Sequence, residues 1–373
     1  MKDILLVNYT ARRGGGPIDA CEMAKALIDL GVPVAALISA QVENLEEWKK
    51  LKLEKLVMID TYESVGQFVI RSAMFPFRQR RQIIEELKGY RVRDVYCPMI
   101  SVWNPLINPI FKNTRKSLVI HDPTLHPGER LKYAAVKRKY GQYDVFFVHS
   151  RKYVEPVRSM YKKPTYYILL ARHNYYKGCE NKKEIVTYDP TKINFLFFGR
   201  ITKYKRLDLL ARAYKVLREK TDIDATLTIV GDGDFSPYKA MYDELPDVTI
   251  VNRWIDDREV ESVFTGENII CICPYQEATQ SGVILVAMDY GATLIVSNSG
   301  GMDEQIDDGR TGLLFKEGDA RDLARKMYKV AKDEMLRKRL SQNAIEEIEK
   351  CTWDNSARGL VEALEIDYYK NAI

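Results

Sequence analysis

The segment 193-INFLFFGRITKYKRLDLL-210 decides the fold of this chain, because it joins a strand pattern to a helix pattern through a short basic loop. Its first six residues are apolar apart from Asn194, and they include aromatic side chains, which is typical of a buried strand. Gly199 ends this run, and from Leu207 onward the apolar residues have the spacing of an amphipathic helix. A strand followed at once by a helix is the repeating unit of α/β proteins with parallel sheets.

The same alternation runs through all 373 residues. Other apolar runs have strand character, and they lie at 4–9, 32–38, 55–60, 94–99, 117–122, 144–150, 225–233, 248–254, 268–274 and 293–299. Helical patterns fit between them, for instance at 18–31, which ends in a glycine. The series restarts at residue 193, so we expect two Rossmann-like, doubly wound parallel-sheet α/β domains. Ligands of such sheets bind at the carboxyl ends of the strands.

The boundary between the two domains is predicted within residues 175–192, a polar segment rich in Lys, Glu and Asn. We therefore assign residues 1–177 to the first domain and 178–354 to the second, with a cleft between them. The last segment has helical apolar spacing. We predict a C-terminal helix at 355–373 that packs back on the first domain.

The composition is that of a globular protein, with 46% hydrophobic and 29% charged residues. No apolar run reaches the roughly 18 to 20 residues that span a bilayer. The N-terminal MKDILLVNYT reads as a first strand rather than a signal peptide, so we expect a cytoplasmic protein. The six cysteines form no C-x-x-C pair, and Cys271 and Cys273 fall on one face of an apolar strand, so we interpret them as buried thiols.

The charge is unevenly distributed along the chain. Residues 1–175 contain 29 Lys and Arg against 17 Asp and Glu, a net charge of +12, whereas the remainder carries −7. Within the basic half, 71-RSAMFPFRQRRQIIEELKGYRVRD-94 mixes aromatic residues with arginines, and 132-KYAAVKRKYG-141 is also basic. Two interpretations stay open, an anionic membrane surface or a solvated helix face with a few core aromatics. Nucleic acid is disfavoured, because none of its recognition motifs is present.

The loop after the first strand, 10-TARRGGGPID-19, contains Gly14, Gly15 and Gly16 at a predicted helix start. Glycines let the backbone approach a ligand closely, and exposed amides at a helix start favour an anion. A tight turn is the alternative interpretation. The spacing is not G-x-G-x-x-G, so a dinucleotide-dependent oxidoreductase is only weakly supported.

Three later loops also follow apolar strands. His121 ends the run 117–122, a better position for a cleft-facing histidine than those of the other three histidines, which we interpret as packing or surface residues. Arg200 and Lys205 follow the strand at 193–199, where two cations suit a diphosphate unless the loop is simply solvated. In 274-PYQEATQSGVILVAMDYG-291, polar residues that include Glu277 stand between a strand and an apolar helix.

Two acidic pairs look like metal ligands and are better explained otherwise. Asp232 and Asp234 form a D-x-D within a Gly-rich turn, where Asp is a routine turn former. Asp256 and Asp257 are interpreted as a helix N-cap pair. We predict no metal.

Together these loops resemble the retaining glycosyltransferases of family 4, which have the two-domain GT-B fold. GRITKYK at 199–205 is similar to the G-R-x-x-x-x-K of that family. SNSGGMDEQIDDGRTGLLF at 297–315 is similar to its GG-x-x-E-x-I-x-D-G-x-T-G block, and the Trp-Asp pair at 353–354 also fits. The likeness is strongest between residues 193 and 320.

The resemblance implies an anion site in the second domain. Arg200 and Lys205, after Gly199, would hold the diphosphate of the donor and stabilise it as it leaves. The backbone amides near Ser281, Gly282 and Val283, at a helix start, would add to the same site. Positive groups of this kind neutralise a departing phosphate, so the resemblance implies that no metal is required.

The resemblance also implies contacts to the sugar. Glu277 would position the donor sugar, and His121 would lie near the reaction centre. The glycine loop at 14–16 would lie against the donor phosphate or the acceptor. The family holds the ribose with a second Glu, and here Val286 takes that position in an E-A-T-Q-S-G-V variant of the E-x7-E segment.

The resemblance implies a metal-independent hexosyltransferase that moves a sugar from a UDP- or GDP-linked donor to a glycan or lipid-linked glycan with retention. Such a role fits polysaccharide biosynthesis in the cytoplasm, and peripheral attachment to the inner face of a membrane is a further expectation. The alternative from another class is a non-catalytic, nucleotide-sugar-binding partner of an active transferase. Its support is Val286 in place of the second Glu.

Overall fold

The computed structural model describes residues 1–123, 140–173 and 183–367. The chain divides into two compact units, Met1–Leu170 with Trp353–Ile373, and Ala171–Thr352. Part of the predicted linker and most of the basic segment 132–141 lie outside the described residues.

The first unit contains a seven-stranded sheet in which every strand pair is parallel. Its strands are β1 (Lys2–Tyr9), β2 (Val34–Ser39), β3 (Lys55–Ile59), β4 (Tyr90–Cys97), β5 (Arg115–Val119), β6 (Val145–Val148) and β7 (Thr165–Tyr167). The order across the sheet is β3-β2-β1-β4-β5-β6-β7, so the direction of winding reverses beside β1. Loops that follow β1 and β4 therefore diverge at the carboxyl edge, where such sheets bind ligands.

Helices cover both faces of this sheet. They are α1 (Gly15–Asp29), α2 (Leu45–Lys50), α3 (Val65–Met74), α4 (Gln79–Glu86), α5 (Asn104–Ile107), α6 (Val154–Tyr161) and, from the end of the chain, α13 (Trp353–Ala363). One apolar cluster joins the sheet to α1 and α13, and another joins it to α4 and α5. Burial of a parallel sheet on both faces explains why its strands read as continuous apolar runs.

The second unit repeats the plan with six parallel strands in the order β10-β9-β8-β11-β12-β13. These strands are β8 (Ile193–Phe198), β9 (Ala225–Val230), β10 (Val248–Val251), β11 (Ile269–Cys273), β12 (Thr293–Ser297) and β13 (Leu313–Phe315). The helices are α7 (Leu207–Lys220), α8 (Lys239–Asp243), α9 (Asp257–Phe264), α10 (Gly282–Asp289), α11 (Ala320–Lys332) and α12 (Glu334–Ile348).

The predicted strands are all present, and the expectation of two parallel α/β sheets is confirmed. Two strands were not predicted, β7 and β13, which are three residues long and lie at the edges of their sheets. The helix predicted at 18–31 begins earlier, at Gly15, and ends at Asp29. Cys271 and Cys273 are fully buried free thiols, as predicted.

The C-terminal helix is shorter than predicted. It ends at Ala363, and the helix prediction over 355–373 is wrong from Leu364 onward among the described residues. The physical reason is that Glu365 adopts a left-handed conformation with φ 49°, which breaks the helix and turns Leu364 and Ile366 into the core of the first unit. Because α13 contacts α1, it belongs to the first unit rather than to the second.

Across the described residues, no helix combines the length and the apolar character that crossing a membrane requires.

Replacing Leu360 by alanine is expected to destabilise the protein, because Leu360 is fully buried in the cluster that joins α13 to α1. The free energy of unfolding should fall by about 2–5 kcal/mol, since a cavity is left in a packed core. Thermal unfolding of the full chain measures the effect. Glu362→Ala, an exposed change on the same helix, is the control and should alter stability by less than about 0.5 kcal/mol. Equal shifts for the two variants would contradict this packing.

Candidate active site

The loop after β8 carries two of the predicted cations, and their environments differ. Arg200 is exposed, whereas Lys205 is only 7% exposed. Gly199 has φ 119°, which favours glycine, and a Cβ atom at this position would lie 3.5 Å from Lys205 Nζ. The glycine at the end of β8 therefore leaves room for a buried ammonium group.

The Lys205 ammonium lies over the face of Tyr275, with Nζ 3.7 Å from the ring centroid. Among the described residues, no carboxylate pairs with it and no acceptor hydrogen-bonds to it. Burial lowers the pKa of Lys205 from 10.5 to about 8, so the side chain is still mainly protonated at neutral pH. A buried cation without a counter-ion is costly, and an anion that binds beside it removes that cost.

The first turn of α10 lies beside the same lysine. A Cβ atom at Gly199 would lie 3.4 Å from Val283 Cγ2 as well as near Lys205 Nζ. Ser281 is the N-cap residue of α10, and its side chain makes no capping hydrogen bond. In the described structure the amides at 282–284 have no acceptor either, as is usual for a first helical turn. Free amides next to a buried ammonium form a site suited to phosphate groups.

The N-cap of α10 is held in place by the loop that follows β12. Gln305 Oε1 accepts a hydrogen bond from the Ser281 amide at 2.8 Å, and Gln305 Nε2 donates to the Ser281 carbonyl at 3.1 Å. The Gly301 amide donates to the Ala278 carbonyl at 3.1 Å. Sequence reasoning missed Gln305, because its residue type alone gives no signal of this bracing role.

Glu277 lies in the loop between β11 and α10, exposed and in a left-handed conformation with φ 55°. Its neighbour Gln276 binds the loop after β8 twice. The Gln276 amide donates to the Tyr204 carbonyl at 2.8 Å, and Gln276 Oε1 accepts from Arg206 Nη1 at 2.8 Å. The loops that carry Lys205 and Glu277 are therefore linked by two hydrogen bonds. A non-glycine residue at positive φ is uncommon and often marks a functional position.

The turn after β9 packs against the loop after β8 through two glycines. A Cβ atom at Gly231 would lie 2.0 Å from the Gly199 carbonyl oxygen, and one at Gly233 would lie 2.3 Å from the Ile201 carbonyl oxygen. Asp234 accepts a hydrogen bond from the Ser236 amide at 3.0 Å, so it is a turn former as predicted. In the part of the chain that the structure describes, no three His, Cys, Asp or Glu side chains are grouped in a way that could hold a metal ion.

Asp256 is the N-cap residue of α9 and forms a capping box with Glu259. The prediction of a helix N-cap at this acidic pair is confirmed. The carboxylate of Asp256 is thus committed to a helix terminus.

Among the residues that the structure describes, three buried polar atoms in loops at the carboxyl edge of the second sheet have no hydrogen-bond partner. They are Thr202 Oγ1, Gln280 Oε1 and Ser299 Oγ, which follow β8, β11 and β12 respectively. Buried polar atoms are nearly always satisfied in folded proteins. These three atoms are therefore available to hydrogen-bond a polar ligand at this edge of the sheet.

The glycine loop of the first unit has two constrained positions and one open position. Gly14 has φ 92°, and a Cβ atom at Gly16 would lie 2.6 Å from Tyr9 Oη. Gly15 has free space around it. The Gly14 amide donates to Glu43 Oε1 at 3.0 Å, so an anion at this loop would lie beside a carboxylate. The role of this loop in binding a phosphate stays a prediction.

His121 follows β5 and is paired with a second histidine. Its Nε2 donates to the Pro98 carbonyl at 2.8 Å, and its ring centroid lies 5.0 Å from that of His149. His149 Nδ1 donates to the Ile168 carbonyl at 3.0 Å. Its burial, and then the neighbouring His121, lower the pKa of His149 to about 3, so this ring is neutral at physiological pH. The sequence interpretation of His149 as a packing residue fits, and the contact with His121 was not foreseen.

Val286 occupies the position at which the sequence comparison placed the second Glu of the family. It lies in α10 and is only 8% exposed. No carboxylate is supplied at this position.

A recess of about 640 Å³ lies at the opposite, amino edge of the second sheet, beside the starts of β8, β11 and β12. Its buried cation, Arg337, donates to the carbonyls of Val330 and Ala331 and to Asn268. The guanidinium thus caps the end of α11, and none of the predicted site residues lines this recess.

Residues 179–347 match the family model described as glycosyl transferases group 1. The second unit carries a glycosyl transferases group 1 domain. The matched residues include the loops that carry Lys205, Glu277 and Ser281, which the geometry brings together. The predicted roles of these residues, and of Arg200, His121 and the three glycines, stay predictions.

Two curated relatives match about half of this chain. The sulfoquinovosyl transferase SQD2 of Arabidopsis thaliana is 26% identical over 185 residues, which are 48% of this chain and 34% of the relative. The D-inositol 3-phosphate glycosyltransferase of Paenarthrobacter aurescens is 27% identical over 190 residues, 49% of this chain and 45% of the relative. The matched segments thus span less than half the length of these two relatives.

Solved structures resemble the whole chain. The Anabaena protein Alr3699/HepE in complex with UDP-glucose has a TM-score of 0.70 at 14% identity, and the match covers 98% of this chain and 100% of that one. At this identity the likeness concerns the fold alone. The fold of this chain is the GT-B fold, as the sequence analysis predicted.

The affinity of the anion site is expected to depend on the protonation of Lys205. Because the pKa of the unliganded lysine is about 8, the protonated form that binds anions is lost as the pH rises through that value. At each pH, the affinity of the parent for inorganic pyrophosphate is divided by that of Lys205→Met. This ratio should be about tenfold lower at pH 9 than at pH 7. Isothermal titration calorimetry measures this ratio.

The matched control is Lys203→Met, which removes an exposed lysine two residues away. It should keep the pH dependence of the parent protein. If the ratio between the parent and Lys205→Met were the same at both pH values, the lysine would not be the group that binds the anion.

Proposed function

We propose that this chain is a retaining glycosyltransferase that moves a sugar from a nucleoside-diphosphate-sugar to a glycan or a lipid-linked glycan. The observation that carries the proposal is the uncompensated ammonium of Lys205 beside the free amides of α10, in a chain with a group 1 domain. A donor diphosphate supplies the negative charge that this site lacks. The complex of Alr3699/HepE with UDP-glucose supports a UDP-linked donor, and a GDP-linked donor is the alternative.

In the proposed reaction, the bond between the anomeric carbon and the diphosphate oxygen breaks first. Positive charge then develops on the sugar, and negative charge develops on the departing phosphate. Lys205 and the amides at 282–284 stabilise that phosphate, and the exposed Arg200 adds to them when the donor is bound. These groups supply the positive charge that a metal ion supplies in other transferases, so we propose a metal-independent reaction.

Retention requires that the acceptor attacks the face from which the diphosphate leaves. An acceptor hydroxyl forms the new bond to the anomeric carbon, and its proton passes to the leaving phosphate oxygen. Glu277, held at the edge of the site by the fastened loops, would orient the donor sugar through its hydroxyls. We also propose that His121 lies near the reaction centre. Its ring is fixed by the Pro98 carbonyl and by the neutral His149.

A second candidate function is a non-catalytic partner that binds a nucleotide-sugar for another transferase. The observation in its favour is the buried Val286, which leaves the proposed ribose contact without a carboxylate. The enzyme is favoured because His121, Arg200, Lys205 and Glu277 are all present, and a non-catalytic partner has little need of that set. If the protein binds a nucleotide-sugar but transfers the sugar to none of the acceptors tested, the non-catalytic function is favoured.

We also propose that the protein acts in polysaccharide biosynthesis in the cytoplasm, at or near a membrane that carries the acceptor. The excess of positive charge in residues 1–175 supports an anionic surface as the surroundings of the first unit.

The first expected outcome concerns the donor base. UDP or GDP should raise the unfolding temperature by several degrees, because a ligand at about a hundred times its dissociation constant adds about 2.7 kcal/mol. Thermal unfolding with UDP, GDP, ADP and NAD, each with and without magnesium, identifies the base. Stabilisation by one nucleoside diphosphate regardless of magnesium is expected. Stabilisation by NAD alone would overturn the proposal.

The second expected outcome concerns Lys205. Lys205→Ala should lower the rate of sugar transfer by about a hundredfold or more, because one preorganised electrostatic contact to a developing charge is removed. Lys203→Ala, at an exposed neighbouring lysine, should leave the rate within about twofold. Transfer is measured with the nucleotide-sugar whose base stabilises the protein. A rate for Lys205→Ala close to that of the parent would mean that the diphosphate clamp is assigned wrongly.

A further inference from the structure

Helix α3 exposes an apolar stripe to solvent, unlike an ordinary surface helix. Soluble proteins turn the apolar stripe of such a helix towards the core. In α3, Val69 and Ile70 are each 61% exposed, and Met74 is 47% exposed. Ala73, on the same stripe, is exposed as well.

The polar side chains of α3 contact the protein on other sides of the helix. Arg71 Nη1 donates to the Thr61 carbonyl at 3.1 Å. Gln67 Oε1 accepts from the Glu63 amide at 2.8 Å, and the Ser72 hydroxyl is buried. The helix is therefore held on the first unit by Arg71 and by Phe68, whose ring packs against Trp103, and its apolar stripe is left to solvent.

The turn between α3 and α4 continues the exposed apolar stripe. Phe77 is 72% exposed, whereas Phe75, two residues earlier, is buried with its ring 5.6 Å from that of Trp103. Ile83 of α4 is fully buried in the same core cluster. Phe75 and Ile83 anchor the two helices to the first unit. The turn between them is thus held in place, and Phe77 stays exposed.

Three arginines lie directly beyond this apolar stripe, at 78, 80 and 81, and all three are exposed. Within the described residues, none of them forms an ion pair with a carboxylate. The acidic residues of α4 are engaged elsewhere, since Glu85 pairs with Lys88 and Glu86 with Lys55. The arginines thus form a basic edge next to an apolar surface.

We infer that Val69, Ile70, Met74 and Phe77, with Arg78, Arg80 and Arg81, form a surface that docks on an anionic lipid bilayer; we call it the α3–α4 surface. Apolar side chains enter the boundary between headgroups and acyl chains, and adjacent arginines bind the acidic headgroups. Charge complementarity selects this occupant, because a purely apolar protein partner gives no use for the three unpaired cations.

The α3–α4 surface lies close to the carboxyl edge of the first sheet. Tyr62, which follows β3, packs against Phe68 of α3 with 5.2 Å between ring centroids. Tyr62 also contacts the glycine loop, since the Arg12 guanidinium lies 5.1 Å from the centroid of its ring. A docked bilayer would therefore lie beside the loop after β1. This inference goes beyond the proposed reaction, and its test requires no sugar transfer.

Co-sedimentation of the purified full chain with vesicles tests the inference. The parent protein should bind vesicles of phosphatidylcholine with about 30% phosphatidylglycerol, and bind them less as salt rises from about 50 mM to about 500 mM. Ile70→Glu with Phe77→Glu should lower the partition coefficient at least about twentyfold. Arg80→Gln with Arg81→Gln should lower it about tenfold or more at low salt.

Matched control variants make the same kinds of substitution at exposed positions of the second unit. Trp254→Glu with Met335→Glu removes two apolar side chains that are 58% and 75% exposed. Arg321→Gln with Lys329→Gln removes two exposed charges of α11. Both control variants should bind vesicles like the parent. All variants alter exposed residues, so their unfolding temperatures should match that of the parent, which separates lost docking from lost folding.

Two results would overturn the inference. In the first, the parent protein fails to bind the anionic vesicles at low salt, or the α3–α4 variants bind as well as their controls. In the second, size-exclusion chromatography shows that Ile70→Glu with Phe77→Glu converts an oligomer to a monomer while vesicles are ignored. The α3–α4 surface would then be a contact between copies of this chain.

Discussion

The lysine ammonium held without a counter-ion in the second unit is the constraint around which that unit's carboxyl edge is organised. Removing Lys205 from water is unfavourable unless something compensates it, and the described residues offer its ammonium the faces of Tyr275 and, at a longer distance, Tyr204, but no carboxylate. Glycines at 199, 231 and 233 let the neighbouring loops close around it. The hydrogen bonds of Gln276 with Arg206 and of Ser281 with Gln305 then fix the loop between β11 and α10. Rigid loops around an unfavourable charge form a site that is preorganised for a ligand of opposite charge.

The fold could be predicted largely from apolar runs, because strands that are buried on both faces leave a strong continuous signal. The strands that were missed, Thr165–Tyr167 and Leu313–Phe315, are too short to show a pattern and lie at sheet edges. The end of the last helix was missed for a different reason. Nothing in the residue type of Glu365 indicates a left-handed backbone, and that conformation sends the following residues into the core.

The candidate site was predictable in its residue types and not in their environments. The motif and its spacing point to Arg200 and Lys205, but they do not show that one is exposed and the other buried. That difference arises from packing against Tyr275, which follows β11, a strand that is adjacent to β8 in the sheet but far from it along the chain. The pairing of His121 with His149 likewise joins the ends of two adjacent strands, β5 and β6, and no local pattern reveals it.

The return of helix α13 to the first unit has a consequence for biosynthesis. The whole second unit is inserted in sequence between Leu170 and Trp353. A ribosome therefore completes the second unit before it has released the helix that covers α1 of the first. The unit whose translation starts earlier is the last to bury its apolar face. Until α13 leaves the exit tunnel, the nascent chain exposes that face to chaperones and to misassembly.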